Sequence, residues 1–180
     1  MIDYITSDLH LGHENIIEYC NRPFDSLEEM NQTLITNWNQ TISPSDKVLF
    51  LGDLAMAPKE QAINYFRQLN GNITFIRGNH DGDNLDETIQ VFETVTFKNK
   101  GIRYICSHYP KFPPTENHLT YNLHGHTHNN ETDDYPFWNP NHNTFNFSVE
   151  LTNYRPVPFS KINEFVTEQE SHRMETFSKQ

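Results

Sequence analysis

Cysteine, positive charge and long apolar runs are all scarce in this chain, and each scarcity excludes a class of protein. Two cysteines, Cys20 and Cys106, cannot make the disulfide framework of a small secreted scaffold. Cys106 falls in an expected strand, and both residues read as buried thiols. Lys and Arg total 13 against 24 Asp and Glu, giving a net charge of −11. Such a surface repels phosphate backbones, so a nucleic-acid partner is disfavoured, although bound divalent cations would invert the potential locally. No stretch approaches the roughly 18 consecutive apolar residues of a membrane span, and Met1–Ile5 enters a strand with no basic segment before an apolar run. The expectation is a cytoplasmic protein with no membrane partner.

What is present suits one domain over residues 1–180. The hydrophobic content of 35% and aromatic content of 13% are lean in aliphatics but well above a disordered composition. Tyr4–Ser7, Lys47–Leu51 and Ile73–Ile76 read as short strands. Between the first two, Ser26-Leu27-Glu28-Glu29 is a capping box, opening a helix with Leu27, Met30, Leu34, Ile35, Trp38 and Ile42 on one stripe. Pro58 opens a second helix with Ala62, Ile63, Phe66 and Leu69 inward, stopped by Asn70-Gly71. Leu85–Gln90 reads as a short helix. Thr94–Lys98 and Ile102–Ser107 flank Asn99-Lys100-Gly101 as a hairpin, and Leu119–Leu123 is a further strand. Asn129–Asn143 is a polar loop, Phe145–Leu151 alternates like an antiparallel strand, and Phe159–Glu168 forms a last helix before a peripheral charged tail over 168–180. The pattern is α/β, with mixed sheets packed between helices.

Five separated segments each end a strand with residues that bind metals: Asp8-Leu9-His10, Gly52-Asp53, Gly78-Asn79-His80-Asp81, Ser107-His108 and Gly125-His126-Thr127-His128. Ligands gather at the carboxyl ends of strands in α/β sheets, so distant segments can converge. Each segment alone has an ordinary reading as a turn or a solvated histidine. Taken together, Asp and Asn oxygens with several imidazoles suit two borderline divalent cations, Mn²⁺ first, with Fe, Ni, Co, Zn or Mg as alternatives, and neither Ca²⁺ nor thiolate chemistry. Paired ions serve phosphoryl hydrolysis, and Asp53, in the middle of the set, is the natural bridge. His80 directly follows Asn79, which separates their roles. It could protonate a leaving oxygen, with Asp81 holding its tautomer and Arg77 contacting a phosphate oxygen. His13 reads as substrate-facing or as a capping residue. Glu14 and Asn15 read as a helix start. His118, His142 and His172 read as surface residues, and His124 could support His126. Tyr135–Trp138 read as packing on the base of their own loop.

This set of segments, from Thr6 to His128, resembles the calcineurin-like metallophosphoesterases. Thr6-Ser7-Asp8-Leu9-His10-Leu11-Gly12-His13, and more weakly Asn146-Phe147-Ser148-Val149-Glu150 with Asn153-Tyr154-Arg155-Pro156, are similar to small bacterial, archaeal and phage members without a cap domain. The resemblance implies a four-layer α/β/β/α sandwich of two mixed β-sheets flanked by helices. It also implies a metal bound by Asp8, His10, Asp53 and His128, a second bound by Asp53, Asn79, His108 and His126, and a catalytic role for His80. Arg77 matches only some members. The reading is a hydrolase acting on a small phosphate ester, with a phosphodiester such as a nucleotide or cyclic nucleotide preferred. A phosphomonoesterase, a nuclease and a metal-stabilised module without catalysis are the alternatives.

Overall fold

Short apolar stretches bounded by Gly, Asp and Asn form the strands of this protein, and within each sheet the central strands run parallel. The computed structural model describes residues 1–82, 89–113, 119–130 and 132–177, with side chains through residue 170. The chain runs β1 (Tyr4–Thr6), α1 (Asn15–Tyr19), α2 (Leu27–Thr41), β2 (Lys47–Phe50), α3 (Lys59–Arg67), β3 (Asn72–Ile76), β4 (Val91–Phe92), β5 (Val95–Asn99), β6 (Ile102–Cys106), β7 (Thr120–His124), β8 (Trp138–Asn139), β9 (Thr144–Asn146), β10 (Val157–Pro158) and α4 (Phe159–Phe177). Two mixed five-stranded sheets result, ordered β10-β1-β2-β3-β4 and β5-β6-β7-β9-β8. β1 to β4 are parallel in the first sheet, and β6, β7 and β9 are parallel in the second. The α/β sandwich of two mixed sheets with flanking helices is therefore the fold the sequence led one to expect.

Helix α2 shows how the sequence builds this. The Ser26 hydroxyl accepts from the Glu29 backbone N–H at 3.2 Å, while the Glu29 carboxylate accepts from Asp25 N at 2.8 Å, closing the capping box one residue early. Met30, Leu34 and Trp38 are buried against Val48, Phe50 and Phe75 of the first sheet. The Trp38 indole N–H donates to Asn70 O at 2.9 Å, so its polar atom is satisfied as well. A second core joins Ile5, Leu49, Leu51 and Ile76 of the first sheet to Tyr104, Tyr121, Leu123 and Phe145 of the second, with Phe159, Ile162 and Val166 of α4. At the carboxyl ends of the strands a parallel bridge, Ser7 to Ser148, ties the sheets together.

Three elements differ from expectation. Phe145–Leu151 is a strand only at its start: β9 covers Thr144–Asn146, runs antiparallel to β8 and parallel to β7, and gives way to a 3-10 turn at Val149–Thr152. Its alternation came from sitting between a packed face and a buried polar face. Helix α4 runs on to Phe177, past Glu168, because the Gln, Glu, Arg and Met residues that follow are good helix formers. The Tyr121 hydroxyl bonds the Glu170 carboxylate, docking that stretch on β7. The polar loop contains β8, whose Trp138 ring stacks on Phe145 with centroids 4.5 Å apart. The start at Glu14 and Asn15 opens a one-turn helix, α1. Residues 85–88 of the Leu85–Gln90 helix lie outside the described residues, as do His118 and the His172 side chain. No described helix is long and apolar enough to cross a membrane.

Candidate metal centre

The five segments meet at one point. Each follows a parallel strand: Asp8 and His10 follow β1, Asp53 β2, Asn79 and His80 β3, His108 β6, and His126 and His128 β7. The chain leaves β1, β2 and β7 in tight left-handed turns. Asp8 (φ 61°), His10 (φ 52°), Asp53 (φ 58°), His126 (φ 72°) and His128 (φ 49°) all occupy the left-handed region. Asp and His tolerate it better than most side chains, yet each such residue costs of order 1 kcal/mol and persists only where its surroundings hold it. Two glycines permit the close approach. A Cβ on Gly78 would overlap the Asp53 carboxylate, and one on Gly125 would overlap Ser7 and Asp8.

Asp53 sits centrally, as its place in the set suggested. Its Oδ2 lies 3.3 Å from His10 Nε2 and 3.4 Å from His108 Nε2, and its Oδ1 accepts from His80 N at 2.8 Å. Burial raises its pKa, but the His10 bond and the His108 and His10 rings outweigh this and hold it below the usual carboxylate range. On one side Asp8, His10 and His128 come together, with His128 Nε2 4.0 Å from Asp8 Oδ1. On the other side His108 Nε2 lies 2.9 Å from Asn79 Oδ1 and 3.2 Å from His126 Nδ1. The His108 Nδ1–H donates to Leu51 O at 2.9 Å. In the neutral ring Nε2 is therefore a lone pair, aimed at an amide oxygen, a carboxylate oxygen and a second imidazole. Acceptors converging in this way repel one another unless a cation or a proton lies among them. His10 Nε2 is likewise buried and faces the same Asp53 oxygen at 3.3 Å. The donor set fits divalent cations on both sides of Asp53.

His80 and Asn79 are exposed at the mouth, with the His80 ring 5.1 Å from His10 and 6.0 Å from His13. His13 is half-buried on the rim, its Nδ1 3.3 Å from His10 Nδ1, and burial with the neighbouring His10 and His80 lowers its pKa to about 4. Asp81 differs from expectation. Its carboxylate accepts from Asp53 N (2.7 Å), Leu54 N (2.9 Å) and Gly78 N (2.8 Å), so it staples two ligand loops together, and these backbone groups rather than the His80 ring are its hydrogen-bond partners among the described residues. Burial, then repulsion from Asp53, pushes its pKa up to about 6 against those three donors. Arg77 pairs with exposed Glu93 at 3.0 Å and lines a cleft of about 280 Å³ with Asn79, Thr94, His108, Tyr109 and Lys111. Two larger cavities, about 400 and 680 Å³, lie at the other end of the strands around Met1, Ile2 and Asn99, where no metal-ligating cluster occurs among the described residues.

The sequence reading missed the support behind His128. Glu150 Oε1 accepts from His128 Nδ1 at 3.0 Å and is paired with buried Arg22 at 2.7 Å. Burial alone would lower the His128 pKa, but bonds to the Cys20 thiol and the Glu150 carboxylate, together with the Asp8 charge, raise it to about 11. The Ser148 hydroxyl donates to Asp8 Oδ2 at 2.9 Å. Ser148 and Glu150 lay in a segment the sequence singled out without a role, whereas nothing near Arg22 marked it. His124 is buried, donates from Nδ1 to Gly125 O at 2.9 Å, and is lowered by burial to a pKa of about 4. Phe137 and Trp138 pack on Phe145 at the loop base. Both thiols are buried.

The family model for calcineurin-like phosphoesterases matches residues 4–171. Among curated proteins, the uncharacterized protein MJ1445 of Methanocaldococcus jannaschii is 44% identical over 161 residues, spanning 88% of each chain. The Gene 66 protein of Mycobacterium phage L5 is 34% identical over 82 residues, 44% of this chain and 39% of its own. Among solved structures, a protein of unknown function, AQ665 from Aquifex aeolicus, superposes with a TM-score of 0.70 at 28% identity, covering 90% of this chain and 97% of that one.

Proposed function

Because the chain belongs to the calcineurin-like phosphoesterase family, we propose that it hydrolyses phosphate esters at a two-metal centre, with a small phosphodiester as the preferred substrate. The observation that carries this reading is the Asp53 carboxylate lying between His10 and His108 at 3.3 and 3.4 Å, flanked by acceptors that a cation would reconcile. Asp8, His10, Asp53 and His128 would hold one ion, and Asp53, Asn79, His108 and His126 the other, Mn²⁺ being the first candidate. When bound, such ions acidify water and neutralise the charge of a phosphate group.

The chain's own residues supply the rest. His80 stands exposed at the mouth with its backbone anchored on Asp53 Oδ1, placed to give a proton to the departing oxygen. An alkoxide is a poor leaving group, so a proton donor at that point serves alkyl phosphate esters, diesters among them. Asp81 fixes the Asp53 and Gly78 loops against each other, which keeps the bridging carboxylate and His80 in register. Arg77, in the cleft beside Asn79 and His108, would contact the phosphate, and His13, beside His10, the remainder of the substrate. The net charge of −11 weighs against a long nucleic acid.

The test is hydrolysis of bis-p-nitrophenyl phosphate and of p-nitrophenyl phosphate by chelator-stripped protein with Mn²⁺ restored. Metal-dependent cleavage of the diester supports the reading. Cleavage of the monoester alone makes the protein a phosphatase, and inactivity on both with two ions bound gives the non-catalytic module precedence.

A further inference from the structure

Behind the cluster, on the side away from solvent, lies a buried ion pair. Arg22 is 4% exposed and follows α1. Its Nη2 donates to Asp8 O at 2.8 Å and its Nη1 to Leu9 O at 2.9 Å. Nε and Nη2 also reach Glu150 Oε1, at 2.9 and 2.7 Å, and that same oxygen accepts from His128 Nδ1 at 3.0 Å. One guanidinium thus grips the backbone of the first segment and, through one carboxylate, the ring of the last. The two segments are more than a hundred residues apart in sequence.

The cost of this arrangement points to its use. Removing two charges from water costs several kcal/mol per ion, and an apolar pair of like volume often serves stability as well. What the ion pair supplies is direction. Asp8, His10 and His128 all sit in left-handed backbone, which needs holding from outside. The Asp8 and Leu9 carbonyls, buried at that turn, receive their donors from Arg22. Glu150 fixes Nδ1 of His128 as the protonated nitrogen and so presents Nε2 to the cluster. Cys20, His128 and Glu150 also lie close enough together to suggest a third cation site. The guanidinium at 2.7 Å already neutralises that carboxylate, so the trio orients the ring. His108 is held differently, by the single Leu51 carbonyl.

We infer that Arg22 and Glu150 are positioning residues for the ion held by Asp8, His10 and His128, and not for the ion on the other side of Asp53. The inference rests on the two-metal reading above.

The test is Mn²⁺ titration of chelator-stripped protein, by calorimetry and by electron paramagnetic resonance, on wild type, Glu150→Gln and the double variant Arg22→Met/Glu150→Leu. Far-UV circular dichroism checks the fold. The double variant leaves no lone buried charge and decides the matter if Glu150→Gln does not fold. Wild type should take up two ions with a spin-coupled signal. The variants should keep one ion at wild-type affinity and bind the other about 10–100-fold more weakly, with a mononuclear signal at intermediate Mn²⁺. Two ions bound with unchanged affinity, or both weakened equally, would overturn the inference and leave the two-metal reading standing. Fewer than two ions in wild type would overturn both.

Discussion

The two halves of the candidate centre are built on different principles. The half formed by Asp8, His10 and His128 is deep, with side-chain exposures of 0%, 1% and 11%. Behind it stand a buried ion pair, a serine hydroxyl and three left-handed residues. The half formed by Asn79, His108 and His126 opens on the cleft beside Arg77, Tyr109 and Lys111. There Asn79 is exposed and His126 is half-buried, its ring 4.3 Å from Tyr109. The difference teaches where fixity and access have been divided. A site that exchanges substrate needs one wall that water can reach, and the wall that water cannot reach then carries the groups that set geometry.

Asp53 belongs to both halves, so its removal is the largest expected effect and should erase the contrast. Asp53→Asn keeps the volume and removes the bridging charge. Occupancy of both ions should fall, and turnover of bis-p-nitrophenyl phosphate with it, by roughly 10³-fold or more if several kcal/mol of charge stabilisation is lost. Metal analysis beside kinetics checks this, and full occupancy would remove Asp53 from the bridging position. His80→Ala acts at the mouth only. Turnover should fall by roughly 10²–10⁴-fold while both ions stay bound. Intact turnover would end its assignment as the proton donor.

How much of this was legible in the sequence follows from how local each feature is. Asp8, His10, Asp53, Asn79, His108, His126 and His128 could be named because each lies within a few residues of a strand end, and five parallel strands of two sheets carry their ends to one place. The second sheet was harder to read. β9 is three residues long, buried on both faces, and lies antiparallel to β8 on one side and parallel to β7 on the other, which a reading of its alternation as a longer antiparallel strand catches only in part. Asp81 was placed beside His80 because they are neighbours in sequence, but its partners are backbone N–H groups 27 and 28 residues away. Arg22 had no signal, since an arginine between Asn21 and Pro23 reads as a surface turn until Glu150 is brought to it from 128 residues away. Local pattern reveals candidate ligands at strand ends, and long-range pairing hides what supports them.

A smaller effect separates the halves without any metal. In stripped protein, His128→Ala removes a bond between charged groups and should cost about 1.5–3 kcal/mol in urea unfolding. His126→Ala truncates a half-exposed ring and should stay within about 0.5 kcal/mol of wild type. Equal losses would mean that the deep half is no more fixed than the open one.

The smallest effect is one of sign, and it appears when the same unfolding is followed against pH. The His128 pKa is raised to about 11 in the folded chain, above the 6.5 of an unperturbed histidine. Its contribution is therefore complete below pH 6.5 and drains away as pH rises toward 11. Burial and the His108 ring lower the His126 pKa, so the unfolded chain takes up a proton near pH 6.5 that the folded chain refuses. Stability from that residue falls as pH drops below 6.5. In stripped protein the His128→Ala variant should flatten the alkaline limb of the stability curve, and His126→Ala should flatten the acid limb. Two histidines separated in sequence by Thr127 alone would then titrate in opposite directions, because one ring faces a buried carboxylate and the other faces a second imidazole and the open cleft. If both substitutions flatten the same limb, the division of the centre into a deep half and an open half has no electrostatic basis.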